Sequence, residues 1–338
     1  MPESTQANLV KLSPRVEFVR RDNTLILMRP DIGATVRVSK GAEALIPEIE
    51  EGTDYESLVT QLKKGHPTAI NIRPTLDKFL SQLSRNNLLI GDQAEVKSKG
   101  VPRFILFYPD RAAAATARVI QRIPAMLSWC LLVSVISAAI VGLVTFFTQS
   151  DVLHPSKVAE QFNLFGFLAF ALIVVPIHEA AHAITCRLAG AKVGEAGIIM
   201  HGWIVPGPYI ETTQAYSIND KFKRFWIPAA GPIVNLCSAG VAAWVMILTP
   251  GLSPAELAAW SYLLVLCMLF VYLDTSLFTA SDGSHMLEAL LEDELARKSA
   301  LSAKPSSMSS THTTRIYRLA CLAHLILGIV AMWYWWVL

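Results

Sequence analysis

Apolar residues fall into two regimes along the chain. From about residue 124 onward they run in blocks near 124–147, 162–185, 226–248, 257–280 and 316–337. Each block approaches the ~20 residues that a helix needs to cross a bilayer. Before residue 95 the apolar positions are sparser and periodic. RVEFVR, TLILMR and TVRVSK are short strand-like runs, the last two separated by the turn PDIG. In GTDYESLVTQL, Thr53 and Glu56 have capping-box spacing, and Tyr55, Leu58, Val59 and Leu62 then share one helical face. Ile72, Leu76, Phe79, Leu80 and Leu83 form a second stripe. Strands followed by about three short helices predict a winged-helix arrangement for residues 1–95, with an open strand edge expected at Thr24–Met28 or Thr35–Val38. Residues 96–122, ending in Arg111, Arg118 and Arg122, read as a basic linker, and SAKPSSMSSTHTT (302–314) as a flexible loop.

Composition agrees with this division. Only 17% of the 338 residues are charged, against about 25% in a soluble domain, and mean hydropathy is +0.42. The expected fold is a mainly α polytopic membrane protein with about five transmembrane helices (residues 123–338) behind an N-terminal α+β domain. A net charge of +2 without a basic, aromatic-interleaved stripe argues against nucleic acid as a partner. Membrane lipid is the expected surrounding. Cys130, Cys186, Cys237, Cys267 and Cys321 include no CxxC pair, so neither a disulfide framework nor a thiolate metal site is expected. The N-terminus lacks the layout of a secretory signal. Lys and Arg concentrate in the segment before the first span, in 187–225 and in 281–315, whereas 148–161 and 249–256 hold Lys157 alone. The spans then alternate consistently with the N-terminal domain in the cytoplasm.

That orientation brings two polar clusters to one membrane face. The first is VVPIHEAAHAI (174–184), near the end of the second span. His178 and His182 stand at i and i+4 of a helix, so both imidazoles point the same way, as two ligands of a zinc ion do, and Glu179 lies beside them as a general base. The second is SDGSH (281–285), where Asp282 is the acid available as a third ligand and Gly283 is expected to permit a sharp turn. One Zn2+ per chain is expected. His201 and His285 read as solvated loop histidines. The apolar, β-forming segment within 193–215 is a candidate edge strand for holding a substrate extended.

Three segments, IHEAAHAITCRLAGAKVG, FWIPAAGPIVN and LDTSLFTASDG, together resemble the core of the site-2 protease family of intramembrane zinc metallopeptidases. The resemblance implies His178, His182 and Asp282 as zinc ligands and Glu179 as the catalytic acid/base, with Gly231, Pro232 and Asn235 matching the family's middle segment. Asn235 is a candidate for positioning substrate or for holding helices together. Residues 206–225 are similar to the subgroup fused to an N-terminal PqqD-like domain, a peptide-recognition fold of ribosomal peptide-modification pathways. The chain is expected to be a multi-pass protein, of a bacterial cell membrane, and the distribution of Lys and Arg puts its active-site mouth on the cytoplasmic side. Its implied function is to remove the leader of a precursor peptide captured by residues 1–95. A regulatory protease cleaving a membrane-anchored protein and a non-catalytic peptide-binding scaffold are the other readings. The chain departs from the family where an Asn-x-x-Pro is usual, having Asp274 and Leu277 there. Asp274 is open to three roles: alternative ligand, partner of a polar group (substrate positioning included), or helix-end residue.

Overall fold

The computed structural model describes residues 9–21, 24–29, 34–65, 72–90, 103–149, 162–201, 205–302 and 310–337. The PDIG turn and most of the 148–161 loop lie outside the described residues. Two compact units form, one from residues 1–108 and 193–219, the other from 109–192 and 220–338.

In the first unit, β1 (Glu17–Arg21), β2 (Thr24–Arg29) and β3 (Ala34–Val38) pair antiparallel, with Phe18 opposite Leu27 and Ile26 opposite Arg37. Leu25 through Met28 of β2 are all buried, so this central strand is covered on both faces. The edge expected at Thr24–Met28 is therefore closed by two neighbours, and the outer strands are β1 and β3. Helices α1 (Lys40–Glu43), α2 (Ile46–Glu51), α3 (Tyr55–Gly65) and α4 (Ile72–Arg85) come next. Leu27, Val36, Leu45, Ile49, Leu58, Leu76 and Leu83 share one core, with Tyr55, Leu62, Ile72, Phe79 and Leu80 packed against it. The α3 cap is Asp54, whose Oδ1 accepts from the Glu56 and Ser57 amides at 3.0 Å. Thr53, the expected cap, instead bridges Val10.

A second antiparallel sheet has the order β4 (Arg103–Phe107), β5 (Ala196–His201), β6 (Val205–Ile210). The expected 96–122 linker therefore contains a strand and, in the second unit, helix α5 (Asp110–Ile120). Its alanine run favours helix, and Ala113 and Ala117 are buried on one face.

The second unit contains α6 (Ala125–Gln149), α7 (Leu164–Leu188), α8 (Lys221–Leu248), α9 (Pro254–Asp274), α10 (Asp282–Leu291), α11 (Ala296–Leu301) and α12 (Thr311–Val337). Among the described residues, α6, α7, α8, α9 and α12 are long and apolar enough to cross a membrane. The molecule is thus a mainly helical integral membrane protein. Helix α12 begins at Thr311, inside the segment expected as a flexible loop, of which 303–309 lie outside the described residues. Helix α8 is central, packing against α6, α7, α9 and α10. Its Ala239, Ala242 and Ala243 are fully buried, and such small side chains let membrane helices approach closely. Asp220 caps α8, accepting from the Phe222 amide at 2.8 Å, which places the start of this helix before the expected span.

Candidate metal centre

The site grows from a single helix whose local geometry is unusual. Residues 170–174 of α7 form a π-turn immediately before Val175. Such a wide turn adds a residue to one revolution and rotates the remainder of the helix. His178 and His182 come one and two turns later, only 9% and 8% exposed. Their Nε2 atoms lie 3.1 Å apart.

The third corner comes from another helix packed against α8. Helix α9 ends at Asp274, the chain turns through 275–281, and Asp282 opens α10. Its Oδ2 lies 3.5 Å from His178 Nε2 and 3.4 Å from His182 Nε2. A tetrahedral zinc with bonds of about 2.0–2.1 Å holds its ligand atoms roughly 3.3 Å apart. The triangle of two imidazole nitrogens and one carboxylate oxygen therefore fits that ion in donor type and size. Among the described residues, this is the group of metal-binding side chains whose ligand atoms all lie within 4.8 Å of one another.

Two glycines make the convergence possible, each by lacking a side chain. A Cβ on Gly231 of α8 would fall on the Nε2 atoms of both histidines. The small-residue run Ala229-Ala230-Gly231 thus serves the site as well as helix packing. A Cβ on Gly283 would meet the backbone carbonyl of Thr275. The sharp turn expected at Gly283 is not what the residue provides, because it lies within α10 and has no positive φ. Its use is close approach of the start of α10 to the end of α9.

The far side of each imidazole also faces an oxygen. His182 Nδ1 lies 2.7 Å from the carbonyl oxygen of Ile227. A carbonyl only accepts, so Nδ1 carries a proton, and in the neutral ring Nε2 is then the nitrogen whose lone pair is free for a metal. His178 Nδ1 faces Asp274 Oδ2 at 3.8 Å. Asp274 in turn accepts from Asn235 Nδ2 at 2.8 Å, and Asn235 is 1% exposed. Glu179 is half-buried on α7, one residue from His178.

Every sequence-predicted site residue is thus placed. His178, His182 and Asp282 converge, Glu179 adjoins them, and Asn235 and Asp274 form a pair behind His178. His285 pairs with Glu288 at 3.2 Å and is absent from the converging group. The side chain of His201 lies outside the described residues. Sequence reasoning missed the Ile227 carbonyl, since a main-chain acceptor leaves no residue-type signal.

Comparison with known proteins adds an independent finding. The model of peptidase family M50 matches residues 165–334, which hold α7 through most of α12. An uncharacterized protein of Methanocaldococcus jannaschii is 35% identical over 71 residues, 21% of this chain and 19% of that one. The match spans about a fifth of that relative's length. No solved structure matches.

Proposed function

The chain belongs to peptidase family M50, the site-2 protease family of membrane metalloproteases, and on that premise we propose that it is a zinc endopeptidase whose catalytic centre is His178, His182, Asp282 and Glu179. The observation that carries this reading is the triangle of two Nε2 atoms and one Oδ2 at 3.1–3.5 Å. His178, His182 and Asp282 would hold the ion. Zinc bound there supplies a Lewis acid that polarises a carbonyl and makes water a nucleophile near neutral pH.

The chain's own residues do the rest. Glu179 takes the proton of the attacking water and returns it to the amine that leaves. The imidazole tautomer of His182 is set by the Ile227 carbonyl, which keeps the ring from turning its protonated edge to the ion. A helical substrate has its carbonyls bonded internally, so the scissile segment must be extended before it can react. The outer strands of the second sheet offer different templates for such a segment. β6 carries Pro206 and Pro208, which lack N–H groups, and β4 has no proline between Arg103 and Phe107. The edge strand expected within 193–215 corresponds to β6, one of the two outer strands of this sheet.

The substrate we propose is a ribosomally made precursor peptide whose leader is captured by residues 1–95. This segment is read as a PqqD-like winged-helix domain, supported by its three antiparallel strands succeeded by helices on one shared core.

Glu179→Gln tests the mechanism. The variant is expected to bind zinc and keep its helical content, and to lose about 10²–10⁴-fold in turnover of a precursor peptide. Turnover by the Gln variant at the wild-type rate would remove Glu179 from the chemistry and overturn the proposed mechanism.

A further inference from the structure

We infer that Asp274 is the positioning carboxylate of this centre: gripped by Asn235, it holds His178 by Nδ1 so that Nε2 faces the metal. The inference rests on the metallopeptidase reading above and assigns one residue that the reading leaves without a role.

Asp274 is the last residue of α9, with its side chain 22% exposed. A carboxylate at the end of an apolar helix is costly unless it is paired. Its partners come from two other helices. Asn235 of α8 donates to Oδ2 at 2.8 Å, and the same oxygen lies 3.8 Å from Nδ1 of His178 on α7. The side of the imidazole matters here. Nε2 of His178 points to Asp282 and to His182 Nε2, and Nδ1 is the opposite nitrogen of the ring. Asp274 therefore stands behind the ligand, outside the converging group of ligand atoms. That position separates the three roles open to it in the sequence: it partners a polar group, and it does not take the place of Asp282.

The two histidines then use different devices for one task. His182 takes a main-chain carbonyl, fixed by the course of α8. His178 takes a carboxylate, which needs its own support, and Asn235 supplies it. A separation of 3.8 Å is longer than a hydrogen bond. With the ion bound, a rotation of the imidazole or of the Asp274 side chain would bring the pair within hydrogen-bond range. Metal-ligating histidines commonly donate their second nitrogen to such a carboxylate, and losing it typically costs about 10–100-fold in metal affinity. Asn235 is committed to Asp274 through its amide, so it acts on the ion at one further remove.

The experiment is metal binding by the full-length protein in detergent micelles, freed of metal with a chelator. Zn2+ is titrated in competition with a chromophoric chelator, and Co2+ is titrated by visible absorption. Asp274→Ala is expected to weaken Zn2+ binding about 10–100-fold, with one ion still bound at saturation and Co2+ bands of the same tetrahedral type. Asp274→Asn, which retains an oxygen acceptor for His178 Nδ1, is expected to recover most of that affinity and covers the case in which the Ala variant does not fold. Wild-type affinity in a folded Ala variant, with only thermal stability lowered, would overturn the inference and leave a merely structural contact. Loss of all binding, with the residual Co2+ spectrum altered as in Asp282→Ala, would overturn it in favour of direct ligation. His178→Ala and Asp282→Ala serve as the control for the premise: tight one-to-one binding in both would dismiss the metal centre itself, whatever Asp274 does.

Discussion

At the scale of single residues, the centre depends as much on a missing side chain as on those present. Gly231 is the position where α8 lies against both imidazoles, and a methyl group there would fall on their Nε2 atoms. Gly231→Ala should favour the helix by about 0.5–1 kcal/mol, since alanine loses less backbone freedom. It should also displace the ligands. A misplacement of about 1 Å can cost on the order of 100-fold in rate, so the variant is expected to keep its helical content and lose most of its bound zinc and turnover. Zinc per chain by atomic emission, alongside circular dichroism, checks this. Full zinc with full activity would mean that α8 does not press on the histidines. The pairing of the two histidines is readable from spacing, because i and i+4 on a helix put two imidazoles on one side. Gly231 is readable only as part of a small-residue run. A glycine's sequence context reports that space is tight but does not say which neighbour occupies it.

At the scale of elements, hydropathy locates helices well and their ends poorly. The fourth apolar block continues through Ser276-Leu277-Phe278-Thr279-Ala280, and α9 nevertheless stops at Asp274. The turn is held by interactions that hydropathy does not register. Ser281 donates its hydroxyl to the Ser276 carbonyl, and Tyr317 of α12 donates to the Leu277 carbonyl at 3.0 Å. This early stop matters, because it places Asp274 behind His178 and lets Asp282 begin a new helix facing the histidines. The π-turn at 170–174 is likewise unmarked, since FALIV differs in no residue type from its surroundings. The 96–122 segment differs from a plain linker for a related reason. Its arginines draw attention to charge, and the competing signals are the alanine run of α5 and the apolar FILF of β4, a strand that forms only by pairing with the distant β5. Non-local pairing of that kind has no local signature.

At the scale of the whole molecule, two proposals remain: how the chain sits in the membrane and what its N-terminal part does. The distribution of Lys and Arg favours the cytoplasmic side for residues 1–95 and the mouth of the site. Reporter fusions after residue 95 should read as cytoplasmic and fusions near residue 252 as external. A cytoplasmic reading near 252 would put the ends of α7 and α9 on opposite faces and break the proposed centre. The N-terminal part has a core of its own, from Leu12 to Leu88, and its strands β1 and β3 each have one side unpaired among the described strands. An extended leader adding to β3 would gain main-chain hydrogen bonds and place alternate side chains beside a helix such as α4. Tethering the captured precursor near the catalytic unit raises its local concentration to roughly mM levels. Deleting residues 1–95 should therefore leave zinc content unchanged and raise the apparent KM for a long precursor, with kcat little altered. A short peptide holding only the cleavage region should be cut equally by both forms, because it never used the tether. Steady-state kinetics on the two substrates separates recruitment from folding assistance. If the deletion slows both substrates alike, or removes the zinc, the N-terminal part supports the fold of the catalytic unit and does not deliver its substrate.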